Sequence, residues 1–276
     1  GKMRFTKWQG LGNDFVIINT FEETIYDERE LAKAMCDRHF GIGADGLVLI
    51  APSDTADFQM RIINSDGTYA EMCGNATRCV ASYLKSRGMS DGGSVRLETL
   101  AGVVEPRVLD GEDNLVEVNM GKARLLRGEI PMQGDEEDTA INIPLEVNGW
   151  TWYGTGVSMG NPHFVIFVDN LAQIALEDWG PRIERHPMFP HKTNVEFVQR
   201  INAGKIRMRV WERGCGITMA CGTGSCASVV AGVLTQRTDR DVTVILDGGE
   251  LMISYKENGI VTMTGPAVEV FSGNWS

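Results

Sequence analysis

Hydrophobic residues recur along this chain in short runs that predict many strands. Runs rich in Val, Ile, Leu and Phe are bounded by Gly, Asp or Asn, a pattern typical of β-strands. In the first half we predict strands at 14–20, 45–51, 57–64, 95–100, 103–109 and 115–120. In the second half we predict strands at 163–169, 194–199, 205–211, 242–246, 250–255 and 260–265.

Two kinds of helix are predicted between these strands. Residues 27–39 and 175–186 mix charged and apolar positions, as surface helices do. Residues 75–88 and 224–236 form a second pair, and the latter is small or apolar almost all round, which is typical of a buried helix. We therefore predict a mixed α/β (α+β) fold in which each half is a mostly antiparallel sheet wrapped around a central helix.

The two halves of the chain resemble each other. Residues 60–74 align without a gap to 208–222, and both segments open with Met-Arg and close with Cys-Gly. Asn13 and Asn161 show the same spacing of 148 residues, each after a glycine. Repeated agreement at one spacing indicates an internal duplication and two pseudo-symmetric domains. The Pro-, Gly- and acid-containing segment 126–139 is the expected connection between them.

Composition and charge argue against several classes of function. The net charge of −11 disfavours a nucleic-acid or anionic-membrane partner, because both need a basic face. No apolar run approaches the roughly 20 residues that span a bilayer, and no secretion signal is evident, so a cytoplasmic protein is expected. The six cysteines lack the Cys and His spacing of a zinc site, so no metal is expected.

Cys73 and Cys221 occupy the same position in the repeat, each at the start of a predicted central helix. Backbone N–H groups and the helix dipole stabilise anions there, so we expect a lowered thiol pKa. The N–H groups that follow, in Gly74-Asn75 and Gly222-Thr223, could hold a substrate carboxylate. A lone cysteine is more often a small buried hydrophobe, which is our interpretation of the other four.

Duplicated domains commonly face each other, so we predict that Cys73 and Cys221 lie on opposite sides of one cleft. One thiolate would remove a proton from an α-carbon, and the opposite thiol would return a proton to the other face. The helix N–H donors would stabilise the developing negative charge. Such chemistry inverts a stereocentre without pyridoxal phosphate or any other cofactor.

Seven motifs in this chain resemble those of the diaminopimelate epimerase family, along essentially its whole length. They are GLGNDF (10–15), NSDG (64–67), MCGNATRC (72–79), GNPHFV (160–165), TNVEF (193–197), ERG (212–214) and ACGTGSCA (220–227). The resemblance implies that Cys73 and Cys221 are the two bases, with His163 and Glu212 supporting their protonation. The substrate-binding residues it implies are Asn13, Asn64, Gly74, Asn75, Asn161, Asn194, Glu212, Arg213, Gly222 and Thr223.

The resemblance also implies a substrate, a pathway and domain boundaries. The reaction would be the epimerisation of LL-2,6-diaminopimelate to its meso form in lysine and cell-wall precursor biosynthesis. Residues 1–118 with 263–276 would form the N-terminal half, and 119–262 the C-terminal half. Many members of the family are homodimers and act in the cytoplasm, or in the plastid stroma in plants.

Four alternatives remain open. A proline racemase-like enzyme would also use paired cysteines, but it would not need residues for a second amino-acid end. A phenazine-type isomerase would share the fold without needing both thiols. A hydrolase could pair Cys221 with His163, which leaves Cys73 unexplained. A non-catalytic binding protein would leave both thiols idle.

Overall fold

The structure is a computed structural model that describes residues 2–111, 114–218 and 221–276. It divides into two compact units, Gly1–Asn119 with Thr264–Ser276 (unit 1) and Met120–Met263 (unit 2). The mixed α/β fold predicted from the sequence is confirmed. The segment 126–139, expected to join the halves, lies instead within unit 2, where the apolar side chains of Ile130 and Met132 are buried in the core.

The described residues form runs of strands separated by four α-helices and one short 3-10 helix (Leu171–Gln173). The strands up to the first unit boundary are β1 (Met3–Gly10), β2 (Asn13–Asn19), β3 (Gly46–Ala51), β4 (Phe58–Asn64), β5 (Tyr69–Ala70), β6 (Leu97–Thr99), β7 (Gly102–Val104), β8 (Pro106–Val108) and β9 (Leu115–Lys122). The later strands are β10 (Ile143–Val147), β11 (Trp150–Ser158), β12 (Pro162–Phe167), β13 (Asn194–Asn202), β14 (Lys205–Glu212), β15 (Gly216–Thr218), β16 (Asp241–Leu246), β17 (Gly249–Tyr255), β18 (Ile260–Pro266) and β19 (Val268–Trp275). The helices are α1 (Glu28–Cys36), α2 (Gly74–Ser86), α3 (Leu176–Glu184) and α4 (Gly222–Leu234).

Unit 1 is a mixed sheet packed on α2. Its strand order is β19-β1-β2-β3-β4-β6-β7. Strands β2 and β3 are parallel, whereas the pairs β1-β2 and β3-β4 are antiparallel. The last strand, β19, pairs with β1, so the C-terminal segment completes the sheet of unit 1. Val80 and Leu84 of α2 are fully buried against this sheet, in a cluster that includes Ile17 and Val48. Burial of such side chains contributes about 1.5–3 kcal/mol each.

Unit 2 repeats this plan around α4. Its strands follow the order β10-β11-β12-β13-β14-β16-β17-β18. Residues 224–232 of α4 are all buried, as the run of small and apolar residues predicts. None of the helices in the described parts of the chain is both long enough and apolar enough to cross a membrane.

The internal repeat is visible in the strand register of each unit. In unit 1, Phe15 of β2 lies opposite Gly46 of β3, and in unit 2, His163 of β12 lies opposite Asn194 of β13. Both pairs are parallel, and they are 148 residues apart in sequence. The helices α2 and α4 begin at the same spacing. The duplicated sequence therefore folds twice into the same local topology, with a cysteine before each central helix.

Candidate active site

Cys73 is the N-cap residue of α2. Its backbone is extended (φ −144°, ψ 120°), and its side chain is half-buried. Its thiol donates to Asn13 Oδ1 across 3.5 Å, so the amide at the start of β2 faces the sulfur. The N–H groups of Gly74 and Asn75 are in the first turn of α2, where a helix has no acceptor of its own for them. The thiol thus stands beside backbone donors that can bind an anion.

The side-chain amide of Asn75 makes two hydrogen bonds within unit 1. Its Nδ2 donates to Asn13 Oδ1 at 3.2 Å, and its Oδ1 accepts a short hydrogen bond from Arg78 Nη2. Arg78 is fully buried and also donates from Nε to Pro266 O at 3.1 Å. Asn75 can therefore offer a substrate its backbone N–H, while its amide group ties the helix start to Asn13.

A charged cluster that the sequence reasoning missed orients Asn13. Asp45 Oδ2 accepts from Asn13 Nδ2 at 2.6 Å and from Asp14 N at 3.0 Å. Arg38 donates to Asp14 at 2.9 Å and to Asp45 at 3.1 Å, and Lys7 Nζ lies 3.1 Å from Asp14. Burial raises the pKa of Asp14, but hydrogen bonds from Arg38 and Lys7 outweigh it and lower that pKa to about 2. With its nitrogen held by Asp45, the Asn13 amide must present its oxygen to the thiol.

Asn64 ends β4 and begins a tight turn. Its backbone N–H donates to Thr68 O at 2.7 Å, and its Nδ2 donates to Thr68 Oγ1 at 3.1 Å. It lies opposite Gly46 of β3, which follows Asp45. The predicted site residue is thus in the same strand-end region of unit 1 as Asn13, held by the turn that Gly67 (φ +86°) closes.

Cys221 is the N-cap residue of α4, again with an extended backbone (φ −135°, ψ 109°). Its sulfur accepts from Gly224 N at 3.3 Å and lies 3.6 Å from Thr223 Oγ1. Gly222 and Thr223 form the first helical turn, so their N–H groups point to the same end. Ala220, which belongs to the same sequence motif, lies outside the described residues.

The expected lowering of the thiol pKa is wrong for Cys221. Burial raises this pKa well above its ordinary value, and the negative charges of Glu212 and Glu196 raise it further. Hydrogen bonds from Thr223 and Gly224 lower the pKa, but they do not outweigh the burial of a side chain that is only 6% exposed. A helix N-terminus favours an anion, whereas removal from water disfavours it, and here the second effect is larger. Cys221 is therefore a thiol at neutral pH.

A hydrogen-bonded chain runs from the Cys221 thiol to a buried carboxylate. Thr223 Oγ1 accepts from Asn161 Nδ2 at 3.2 Å, and Asn161 Oδ1 lies 2.9 Å from His163 Nε2. His163 Nδ1 makes a short hydrogen bond to Glu196 Oε1. His163 and Glu196 are both fully buried. The predicted residues Asn161, His163 and Thr223 thus form one network, and His163 is linked to the sulfur through the other two.

Two further predicted residues, Glu212 and Arg213, lie at the end of β14 and in the loop that follows it. Arg213 is exposed, donating from its backbone N to Asn194 Oδ1 at 2.7 Å and from Nη1 to His191 O at 3.1 Å. Asn194 also donates from Nδ2 to Pro162 O at 2.9 Å, so its amide joins β12 to this loop. Glu212 ends β14, and its charge acts on the Cys221 thiol. Seven predicted side chains of unit 2 therefore lie around one helix start or beside the loop tied to it: Asn161, His163, Asn194, Glu212, Arg213, Cys221 and Thr223.

Two buried carboxylates of unit 2 were not predicted from the sequence. Glu196 lies in β13 among fully buried neighbours, and a charged residue within such an apolar run was the available signal. Glu184 of α3 accepts from Trp211 Nε1 and Gly214 N, each at 2.9 Å. It thereby fixes the loop that carries Glu212 and Arg213. In the described residues, no group of three or more His, Cys, Asp or Glu side chains is placed to hold a metal ion.

Solved structures of other proteins share this fold. A phenazine biosynthesis protein of the PhzF family from Bacillus anthracis superimposes with a TM-score of 0.72 at 15% identity, over 100% of this chain and 99% of that one. A hydroxyproline epimerase from Agrobacterium vitis, with bound trans-4-hydroxy-L-proline, gives 0.67 at 17% identity, over 99% and 92%. At such identities the likeness shows the fold, which is the one shared by PhzF proteins and amino-acid epimerases.

Sequence relatives identify the family within that class. Residues 5–126 and 155–270 match the family described as diaminopimelate epimerase. Diaminopimelate epimerases from Pelotomaculum thermopropionicum and Carboxydothermus hydrogenoformans are 55% and 53% identical to this chain, each over 99% of both sequences. The chain belongs to the diaminopimelate epimerase family and is an isomerase.

Proposed function

We propose that this chain interconverts LL- and meso-2,6-diaminopimelate in lysine biosynthesis, without a cofactor. The supporting observation is that Cys73 and Cys221 cap equivalent central helices in two units of the same topology. Each thiol stands beside N–H donors of a first helical turn, which can bind a carboxylate. The names of relatives that match this chain over nearly its full length agree with this substrate.

In the proposed mechanism, the two sulfurs act on opposite faces of one α-carbon. The Cys73 thiol first gives its proton to solvent, and the resulting thiolate accepts the α-proton. The electron pair of the broken C–H bond is left on the carbon and delocalised into the adjacent carboxylate. The Cys221 thiol, which its raised pKa keeps protonated, then gives its proton to the other face. The products are the inverted stereocentre, a Cys73 thiol and a Cys221 thiolate. A proton exchange restores the starting state.

The second amino-acid end of diaminopimelate needs partners of both charges. Arg213 offers an exposed guanidinium that can bind the distal carboxylate, and Glu212 can accept from the distal ammonium. The amides of Asn64, Asn161 and Asn194 add donors and acceptors without charge. Proline has no second amino-acid end, so a proline racemase would have no use for this set.

The remaining alternatives are less well supported. Both ring nitrogens of His163 are hydrogen-bonded, to Glu196 and to Asn161, so the ring is not directed at the Cys221 thiol as a hydrolase would require. A binding protein would not need a thiol at both helix starts. A cytoplasmic location and a homodimer stay predictions of this proposal.

Solvent deuterium uptake at the α-carbon tests the proposal. In D2O the protein should label LL- and meso-diaminopimelate, and proline run alongside should stay unlabelled. Cys73→Ser and Cys221→Ser should each lower epimerisation by about a thousandfold or more, while Cys215→Ser, which changes an exposed thiol, should not. Labelled proline would favour the racemase, and full activity of either serine variant would reject the two-base mechanism.

A further inference from the structure

Glu196 and His163 form a polar pair that is fully buried in unit 2. Glu196 Oε1 bonds to His163 Nδ1, and the whole pair is buried. Among the described residues, no donor lies within hydrogen-bonding distance of the other carboxylate oxygen, Oε2. A carboxylate removed from water with one partner carries a large desolvation cost unless its charge is balanced.

Charge balance fixes how many protons this pair holds. A carboxylate beside a neutral imidazole would bury a net negative charge, with a second negative charge, Glu212, acting on it. Burial therefore favours the net-neutral pair, in which the carboxyl group and the ring share two protons. These protons can sit as imidazolium and carboxylate, or as imidazole and carboxylic acid. A carboxylic acid proton must be on Oε1, because Oε2 has no hydrogen-bond partner among the described residues. In both arrangements one proton therefore lies between Oε1 and Nδ1, and a hydrogen remains on His163 Nε2.

That hydrogen sets the direction of every hydrogen bond that follows. His163 Nε2–H donates to Asn161 Oδ1, so Asn161 must turn its nitrogen toward Thr223. Thr223 Oγ1 then accepts from Asn161, and its own hydrogen is left for the Cys221 sulfur 3.6 Å away. Without a hydrogen on Nε2, the Asn161 amide would reverse. The Thr223 hydroxyl would then donate to Asn161 instead of to the sulfur.

We propose that Glu196 is a positioning residue that keeps His163 protonated at Nε2 and thereby directs the Thr223 hydroxyl hydrogen to the Cys221 sulfur. This inference rests on the proposed function, in which Cys221 gives up its proton during the reaction. A donor aimed at the sulfur stabilises the thiolate formed at that step. Glu196 directs this hydrogen through His163, Asn161 and Thr223, and this effect is separate from that of its charge on the nearby Cys221 thiol.

The position of Gly224 supports this geometry. A Cβ on residue 224 would stand 3.0 Å from Glu196 Oε1 and 3.1 Å from Cys221 Sγ. The carboxylate and the sulfur thus approach the same point from two sides, and glycine leaves that point empty. The buried pair therefore lies beside the reacting thiol as well as at the far end of the chain of hydrogen bonds.

Nitrogen-15 NMR of the wild-type protein at pH 7 tests the proton position directly. The chain has four histidines, so substitution of His39, His186 and His191 assigns the His163 signals. We expect the chemical shift of His163 Nε2 to be that of a protonated nitrogen. An unprotonated Nε2 would overturn the proposal, and this measurement needs neither substrate nor a change at the buried pair.

Variants then test whether the tautomer matters for catalysis. In Glu196→Gln the amide can donate to Nδ1 or accept from it, so both tautomers should be populated, and kcat should fall about tenfold with KM little changed. Glu184→Gln, which alters another buried carboxylate of unit 2, should leave the His163 tautomer as in the wild type. The proposal would be overturned if His163 Nε2 were still fully protonated in the Glu196→Gln variant, or if this variant had the kcat of the wild type.

A double variant separates a positioning role from a merely structural one. Thr223→Val removes the last donor of the chain and should also lower kcat about tenfold. Because Glu196 acts through Thr223, Glu196→Gln with Thr223→Val should be no more than about twofold slower than Thr223→Val alone. Effects that multiply would mean that Glu196 acts by another route. If His163 carries the Nε2 hydrogen but diaminopimelate takes up no deuterium, the positioning role of Glu196 is supported and the proposed function is rejected.

Discussion

The backbone N–H of Gly224 donates to the Cys221 sulfur at 3.3 Å, and a side chain at residue 224 would stand 3.1 Å from that sulfur. The glycine therefore serves two purposes at the start of α4. It brings a donor to the sulfur, and it leaves the space between the sulfur and the Glu196 carboxylate empty.

Gly224→Ala tests this second purpose. The added methyl group should displace the sulfur or the carboxylate by a few tenths of an ångström. Epimerisation should fall about tenfold, because the rate depends steeply on the position of a reacting group. Alanine is a better helix former than glycine by about 1 kcal/mol, and this gain offsets the cost of the close contact. The thermal midpoint of unfolding should therefore change little. Thr235→Ala, at the opposite end of the same helix, is the control and should retain activity. A fully active Gly224→Ala would show that the close approach has no role.

Glu212→Gln tests the electrostatic control of the Cys221 thiol. Removing this negative charge should lower the raised pKa of Cys221, so more thiolate is present at pH 8. Alkylation of Cys221 by iodoacetamide, followed by peptide mass spectrometry, should become about threefold faster or more. Epimerisation should fall nevertheless, because the substrate ammonium loses its acceptor. An unchanged alkylation rate would show that the charge of Glu212 does not raise the pKa of Cys221.

Asp14→Asn tests the charged cluster behind Asn13. The folded-state pKa of Asp14, about 2, lies below its unfolded value of about 3.9, so the carboxylate stabilises the fold above pH 4. This stability is lost as the pH falls from about 4 toward 2. The variant should lose about 1–2 kcal/mol at pH 7 and show a flatter acid limb in urea unfolding. Asp54→Asn, an exposed control, should leave that limb unchanged.

Asp45→Asn tests the orientation of the Asn13 amide. A carboxylate can only accept from Asn13 Nδ2, whereas an asparagine can also donate, so the Asn13 amide becomes free to reverse. The oxygen that faces the Cys73 thiol would then be replaced by a nitrogen in part of the molecules. We expect kcat/KM to fall about tenfold. Asp37→Asn, in the loop after α1, should be near wild type, and equal losses in both variants would point to a general effect on the fold.

Arg213→Ala tests the distal-end assignment. Loss of the guanidinium should raise KM for diaminopimelate by about ten- to a hundredfold, because a charged hydrogen-bonded contact contributes about 1.5–3 kcal/mol. Arg207→Ala, which changes an exposed arginine of β14, the strand that precedes Arg213, should leave KM unchanged. An Arg213→Ala variant with the wild-type KM would remove Arg213 from the substrate-binding set.

Much of the fold could be predicted because it depends on local patterns. The strands follow from short branched runs, and α4 was expected to be buried because almost no position of it is polar. The repeat at 148 residues predicted that α2 and α4 begin at equivalent places, and both begin directly after a cysteine. The path of the chain between units was not predictable from composition. Residues 126–139 are rich in turn formers, yet Ile130 and Met132 belong to the core of unit 2.

The sequence by itself determined which residues stand at the two helix starts, because helix capping and the dipole act over one turn of chain. Only the tertiary structure decided the protonation of Cys221, because its burial and the charges of Glu212 and Glu196 come from strands that packing brings to the start of α4. The same holds for Asp45, which orients Asn13 from 32 residues away, and for Glu196, which meets His163 across 33. Desolvation and hydrogen-bond direction depend on what surrounds a group in space, and that is set by packing rather than by the neighbouring sequence.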